Sequence, residues 1–125
     1  MKNMAYETNS FDVIIDNFAI YCNRKEHIKE ILEKTFKVLK RGGYFYSKVW
    51  GKKTTGYEEG EHIEQSTGYD LKVGPCRGTG LVYFYDKESI KEIYSEFKII
   101  SIDQTLREDN YIDSILEEYL IIATK

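Results

Sequence analysis

The stretch "LKRGGYFYSKVWG", Leu39–Gly51, decides how this sequence is read. It starts where a helical spacing ends, passes through two glycines and becomes a run rich in aromatic residues. Upstream, Ile28, Ile31, Leu32, Thr35, Phe36 and Leu39 recur at intervals that fall on one helical face. Lys29, Glu30, Glu33, Lys34 and Lys37 lie between them and form a wet face. Asn23 is an N-cap residue type, and Glu26 three positions on predicts a capping box. Lys40 and Arg41 suit the negative end of the helix, and Gly42 or Gly43 can take the left-handed geometry that ends it. Tyr44–Trp50 then reads as a strand.

Before the helix, "FDVIID", Phe11–Asp16, has a continuously apolar centre, Val13 to Ile15. That pattern suits a strand covered on both faces, as inside a parallel sheet. Strand, helix and strand make a βαβ crossover, normally right-handed and parallel. The paired glycines would let the chain leave its helix and turn straight back into the sheet.

Downstream, residues 51–80 are polar and hold seven glycines and the only proline, Pro75. Such a length without clear periodicity predicts a loop, insertion or lid. "LVYFY", Leu81–Tyr85, reads as a short strand, and Asp86 can cap a second helix carrying Ile90, Ile93, Tyr94 and Phe97. "KIISIDQTL", Lys98–Leu106, and "EYLIIAT", Glu118–Thr124, are strands that the polar segment between them can join as an antiparallel pair.

The chain has 125 residues, 42% hydrophobic and 31% charged, which is the size and composition of one small globular domain, 1–125. A formal charge of -3, with charges interspersed, gives no electrostatic footprint for nucleic acid. No apolar run reaches the ~18 residues of a membrane span. The start, "MKNMAYETNS", has no apolar signal-peptide core. Two cysteines, Cys22 and Cys76, make no disulfide framework, so a cytoplasmic location is expected.

Taken in order, "FDVIIDNFAIYC", the helix, "VLKRGGYFYSKVWG", "FKIISIDQTL" and "EYLIIATK" resemble the second half of a class I S-adenosylmethionine-dependent methyltransferase. In that family the fourth strand often opens with Phe-Asp, here Phe11-Asp12. The next helix commonly ends in Leu-Lys-Pro-Gly-Gly, here Leu39-Lys40-Arg41-Gly42-Gly43, with Arg41 in place of the proline. "MAYETNSFD" is similar to the acidic loop that enters the fourth strand. The resemblance implies an α/β fold with a partial Rossmann-like sheet: a parallel βαβ, a further βαβ unit and a C-terminal antiparallel strand. The family's glycine-rich cofactor loop and ribose-binding acid would lie upstream of Met1. The resemblance therefore implies a rear half, whether a natural remnant, a shortened reading frame or a piece begun at an internal methionine. It would bind S-adenosylmethionine only with the front supplied, and have little activity alone.

On the same resemblance, Asp16, Asn17 and Phe18 lie beside the methionine part of the cofactor, at the carboxyl end of a parallel strand where α/β sheets bind ligands. Read without it, they are a polar strand terminus followed by a core phenylalanine. Tyr21, Lys48 and Trp50 stand near strand ends and can line a substrate pocket, or simply pack, with Lys48 on a solvated face. His62, among Glu58, Glu59, Glu61 and Glu64, can act as a base in a lid or be one more solvated residue. "GPCRGTG", Gly74–Gly80, precedes a strand and not a helix, so it reads as a turn and not a phosphate loop. The histidines and cysteines lack metal-ligand spacing, and no nucleophile elbow is present, so no catalytic or metal residue is assigned.

With a front strand absent, Phe11–Asp16 would become an apolar edge, which is a pairing template. Self-association, or a complementary N-terminal half, is expected there. The element order also fits a ferredoxin-like or other α+β dimeric binding module without catalysis. That alternative places another strand between residues 11–16 and 44–50, whereas the methyltransferase reading makes them parallel neighbours.

Overall fold

The computed structural model describes residues 6–125, so part of the "MAYETNSFD" leader lies outside the described residues. The chain forms β1 (Phe11–Asn17), α1 (Lys25–Val38), β2 (Leu39–Trp50), β3 (His62–Glu64), β4 (Thr67–Tyr69), β5 (Leu81–Tyr83), α2 (Lys87–Ile93), β6 (Lys98–Asp109) and β7 (Ser114–Thr124). The main sheet runs β1-β2-β7-β6, and β3-β4-β5 make a second, smaller sheet. β1 and β2 are parallel neighbours, with Ile14 opposite Phe45 and Asp16 opposite Ser47. This adjacency argues against the ferredoxin-like alternative, which needs a strand between them. β7 pairs antiparallel with both β2 and β6.

α1 buries Ile28, Ile31, Leu32, Thr35 and Val38, as its apolar spacing requires. Burying each of its three Ile and Leu side chains contributes about 1.5–3 kcal/mol. Its start differs from the predicted capping box. Arg24 is the N-cap, with no side-chain cap, and the Asn23 amide instead donates to the Ile20 carbonyl at 3.1 Å. The helix therefore begins one residue late, because Asn23 is spent closing the preceding turn.

The two glycines also serve differently from expectation. Leu39 is already extended (φ -76°, ψ 133°), fully buried and paired with Phe11, so the helix passes into β2 without a left-handed cap. The irregularity falls inside the strand: Leu39 to Tyr44 lies opposite Phe11 to Val13. Gly42, at φ +77°, makes this bulge, and a Cβ on Gly43 would meet the Asp12 and Lys40 carbonyls at 2.8 Å.

The predicted second βαβ unit is corrected. β5 belongs to the small sheet; just beyond it Tyr85 bridges Gly51 at the end of β2, and β6 forms the far edge beyond β7. The capping box at Asp86 does form, with Asp86 Oδ1 accepting from the Ser89 N–H and Ser89 Oγ accepting from the Asp86 N–H. β6 and β7 are longer than the apolar runs because their polar ends, out to Asp109 and Ser114, continue the antiparallel pairing. Residues 51–80 are not structureless: they hold β3 and β4 and are tied to β7 through Thr54, which donates to the Glu117 carbonyl.

Both helices cover one face of the main sheet. Phe45 lies 5.2 Å from Phe97 and 6.2 Å from Tyr94, ring to ring, and Phe36 of α1 meets Phe97 edge-on at 5.3 Å. Phe45, Val49, Tyr119, Ile121 and Ala123 are buried there. On the opposite face Val13, Ile15, Tyr44 and Ile100 are exposed. No described helix is long and apolar enough to cross a membrane.

Candidate functional site

The carboxyl ends of β1 and β2 lie side by side, with Asn17 opposite Lys48. Asp16 is the last inward residue of β1 and is only 2% exposed. Its Oδ2 accepts from the Ser47 hydroxyl at 2.7 Å, and its Oδ1 accepts from the Ala19 and Ile20 N–H groups at 3.0 and 3.1 Å. Burial raises the Asp16 pKa above the ordinary carboxylate value, and the three hydrogen bonds oppose that rise. The Asp16 carboxylate is thus directed inward, and it shapes the turn that follows.

That turn places Phe18 at φ +55°, an unusual conformation for a residue with a side chain. The Phe18 N–H donates to the Lys48 carbonyl at 3.2 Å, which holds the turn against β2. Its ring stacks on Trp50 at 4.5 Å and meets Tyr21 edge-on at 6.4 Å. Lys48 Nζ lies 5.7 Å from the centre of the same ring. Tyr21 is fixed in turn, because its carbonyl accepts from the Tyr83 N–H at 2.9 Å. The Trp50 indole N–H is buried beside the Tyr21 hydroxyl but outside hydrogen-bonding geometry. Burial raises the Tyr21 pKa well above its ordinary value.

Six of the residues singled out in the sequence are therefore neighbours: Asp16, Asn17, Phe18, Tyr21, Lys48 and Trp50. His62 stands apart on β3, exposed, with its ring stacked on Tyr57 at 4.5 Å and Nε2 2.6 Å from the Tyr57 carbonyl. Asn17 is exposed at the strand tip.

Sequence reading missed Ser47, Tyr94 and a cleft next to this cluster. Tyr94 OH lies 2.8 Å from Ser47 Oγ, extending the Asp16 chain to the end of α2. The cleft, about 210 Å³, is lined by residues including Lys25, Lys52, Ser66, Tyr83, Asp86 and Glu92. Lys52 Nζ donates to Asp86 Oδ2 at 2.9 Å. Burial tends to lower the Lys52 pKa, but the Asp86 hydrogen bond and charge outweigh it and raise the value. The Ser89 N–H and Lys52 together lower that of Asp86. The only sequence signal for this cleft was the capping pattern at Asp86.

Cys76 is buried, which pushes its thiol up to about 12, while Cys22 is exposed. Among the described residues, no His, Cys, Asp and Glu side chains group as metal ligands. Gly74, Gly78 and Gly80 have positive φ, as a turn ahead of β5 requires.

No family model and no curated protein matches this sequence. Solved structures do match its fold. An S-adenosylmethionine-dependent methyltransferase from Methanosarcina mazei superposes with a TM-score of 0.77 at 19% identity, covering 99% of this chain and 63% of that one. A Thermotoga maritima S-adenosylmethionine-dependent methyltransferase, described as a possible histamine N-methyltransferase, has a TM-score of 0.63 at 18% identity, covering 99% and 60%. The Burkholderia thailandensis 1,6-didemethyltoxoflavin N1-methyltransferase, solved with S-adenosylhomocysteine bound, has a TM-score of 0.64 at 13% identity, covering 99% and 47%. This chain thus spans less than two thirds of each of these proteins. Its fold is that of the S-adenosylmethionine-dependent methyltransferases.

Proposed function

We propose that residues 1–125 act as the rear part of an S-adenosylmethionine-dependent methyltransferase domain, serving methyl transfer to a small-molecule or other acceptor. The observation that carries this reading is the turn after β1, where buried Asp16 holds Phe18 at positive φ against Trp50. Strained turns at the carboxyl ends of parallel strands are where α/β sheets place ligands.

The residues present fit the methionine end of the cofactor and not its nucleotide end. Phe18 and Trp50 form a stacked aromatic wall whose faces favour a cation. Asn17 offers an amide donor and acceptor at the strand tip. By contrast, no glycine-rich strand-to-helix turn occurs among the described residues, at either β1–α1 or β5–α2. When bound, S-adenosylmethionine supplies a methyl group on a positively charged sulfur, already activated toward in-line attack. This chain's contribution is positioning: Asp16 fixes the turn, Phe18 and Trp50 wall the sulfonium side, and Tyr21 and Lys48 border the acceptor space. A glycine loop and ribose-binding acid would have to be supplied by further polypeptide, placed to pair with the outer edge of β1.

Calorimetric titration with S-adenosylmethionine tests this. The chain alone is expected to give no measurable heat. The same chain joined, ahead of Phe11, to polypeptide supplying a glycine loop and ribose acid is expected to bind. Absence of heat in both cases overturns the reading and leaves a fold without the chemistry.

A further inference from the structure

We propose that the methyl acceptor is a flat carboxylate, an aromatic or conjugated acid, held by Lys48 and Asn17 at the rim of the turn after β1. The acceptor's role rests on the methyltransferase reading; the binding of such an acid rests on the geometry of this chain.

Asn17 and Lys48 are register partners in adjacent strands, so their side chains share the sheet face turned away from the helices. Lys48 is half-buried, with Nζ 5.7 Å from the centre of the Phe18 ring. That contact keeps the ammonium at the turn and leaves its N–H groups free to donate. Among the described residues no carboxylate forms an ion pair with it. Glu118, which stands opposite Trp50, is taken by Arg107 at 3.7 Å. The carboxylate of the turn itself, Asp16, points inward and is satisfied by Ser47, Ala19 and Ile20. A further donor, the Trp50 indole N–H, is buried in the Phe18 stack without an acceptor. Donors therefore gather at this rim, and the charge they carry is positive.

One ammonium beside one amide suits a singly charged anion, since a phosphate dianion calls for a further cation. The Phe18 ring next to Lys48 suits a flat body, because an acid held by the ammonium lies against an aromatic face. An acceptor that is already an anion also needs no base to ready it. In the transfer, a carboxylate oxygen forms the new bond to the methyl carbon as the carbon–sulfur bond breaks. The electron pair of that bond stays on sulfur, so the products are a methyl ester and a neutral thioether, and no proton moves. Before reaction the anion and the sulfonium attract, and they do so more strongly beside the apolar wall of Phe18 and Trp50 than in water.

The test is nuclear magnetic resonance of the isotope-labelled chain titrated with trans-cinnamate. Trp50 is the only tryptophan, so its indole N–H gives a single resonance that senses the Phe18 stack. Saturable shifts are expected there and at the Asn17 side-chain amide, with a millimolar dissociation constant. Cinnamyl alcohol, cinnamylamine and inorganic phosphate at equal concentration are expected to leave both resonances in place. Lys48→Gln should weaken cinnamate binding by about tenfold and Lys48→Arg should retain it. Lys98→Gln, on the far edge strand, is expected to change nothing. Absence of saturable shifts with cinnamate overturns the proposal. So do equal shifts from the alcohol, the amine or phosphate, and so does a Lys48→Gln chain that binds as the wild type does. The two readings fail separately. Cinnamate binding without heat from S-adenosylmethionine in the joined chain overturns the methyltransferase reading, and the acceptor role with it. Heat from S-adenosylmethionine without cinnamate shifts overturns the carboxylate acceptor alone.

Discussion

The Ser47 hydroxyl donates to the Asp16 carboxylate at 2.7 Å across two adjacent parallel strands, and both residues are buried. Because that bond uses the only serine proton, Tyr94 must be the donor in its 2.8 Å contact with Ser47 Oγ. Ser47→Ala therefore strands two buried groups at once. The expected cost is about 1–3 kcal/mol, read as a lower urea midpoint with an unchanged slope. A midpoint within error of the wild type would mean the chain of hydroxyls carries no net stability.

Asp16 also sets a pH dependence. Its folded pKa is raised above the ordinary 3.8, chiefly by burial, so the native state holds this proton more tightly than the unfolded chain does. Its contribution to stability is then fully present below about 3.8 and is lost as pH rises through the folded pKa. Asp16→Asn removes this titration. Thermal melts at stepped pH should show the wild type losing stability relative to the variant as pH rises from the acid side. Parallel curves would show that the Asp16 proton is held equally in both states.

Phe18 and Trp50 are predicted to be energetically coupled. A double-mutant cycle using Phe18→Ala and Trp50→Leu should return about 0.5–1.5 kcal/mol for the stacked pair. Phe18→Gly separates the two effects at this site, since glycine tolerates φ +55° and loses only the ring. Trp50 is the sole tryptophan, so its emission reports directly on whether the stack persists. Emission unchanged in Phe18→Ala would argue that the ring pair is not maintained in solution.

How much of this was legible beforehand depended on period and on turn chemistry. The apolar face of α1 gave that helix because burial imposes its spacing; the continuous run of β1 gave a strand, but not one covered on both faces, since Val13 and Ile15 stand exposed. The parallel pairing of β1 with β2 followed from the short crossover. Gly42 and Gly43 were read as a helix cap because left-handed glycine suits both a cap and a bulge. Only the pairing of Leu39 with Phe11 separates the two. Ser47 and Tyr94 were invisible as partners of Asp16: a hydroxyl at positions 31 and 78 residues away carries no local signal. Of the small sheet, Leu81–Tyr83 was read as a strand, but β3 and β4 escaped for a similar reason. They are three residues each, too short for alternation to register.

Asp86 provides a prediction of opposite pH sign from Asp16. Its carboxylate caps α2 through the Ser89 N–H and accepts from Lys52, and both lower its folded pKa. Its contribution is present above the unfolded value of 3.8 and is lost as pH falls through the lower folded pKa. Asp86→Ala should cost about 0.5–2 kcal/mol at neutral pH, the range for losing an N-cap. The Lys52 ion pair adds little because the Asp86 side chain is 43% exposed. Asp86→Asn keeps a cap of similar strength but has no proton to gain, so its melting temperature should fall less steeply than the wild type's in acid. A steeper fall for Asp86→Asn would mean that carboxylates elsewhere dominate the acid limb and that this cap is not held as an anion.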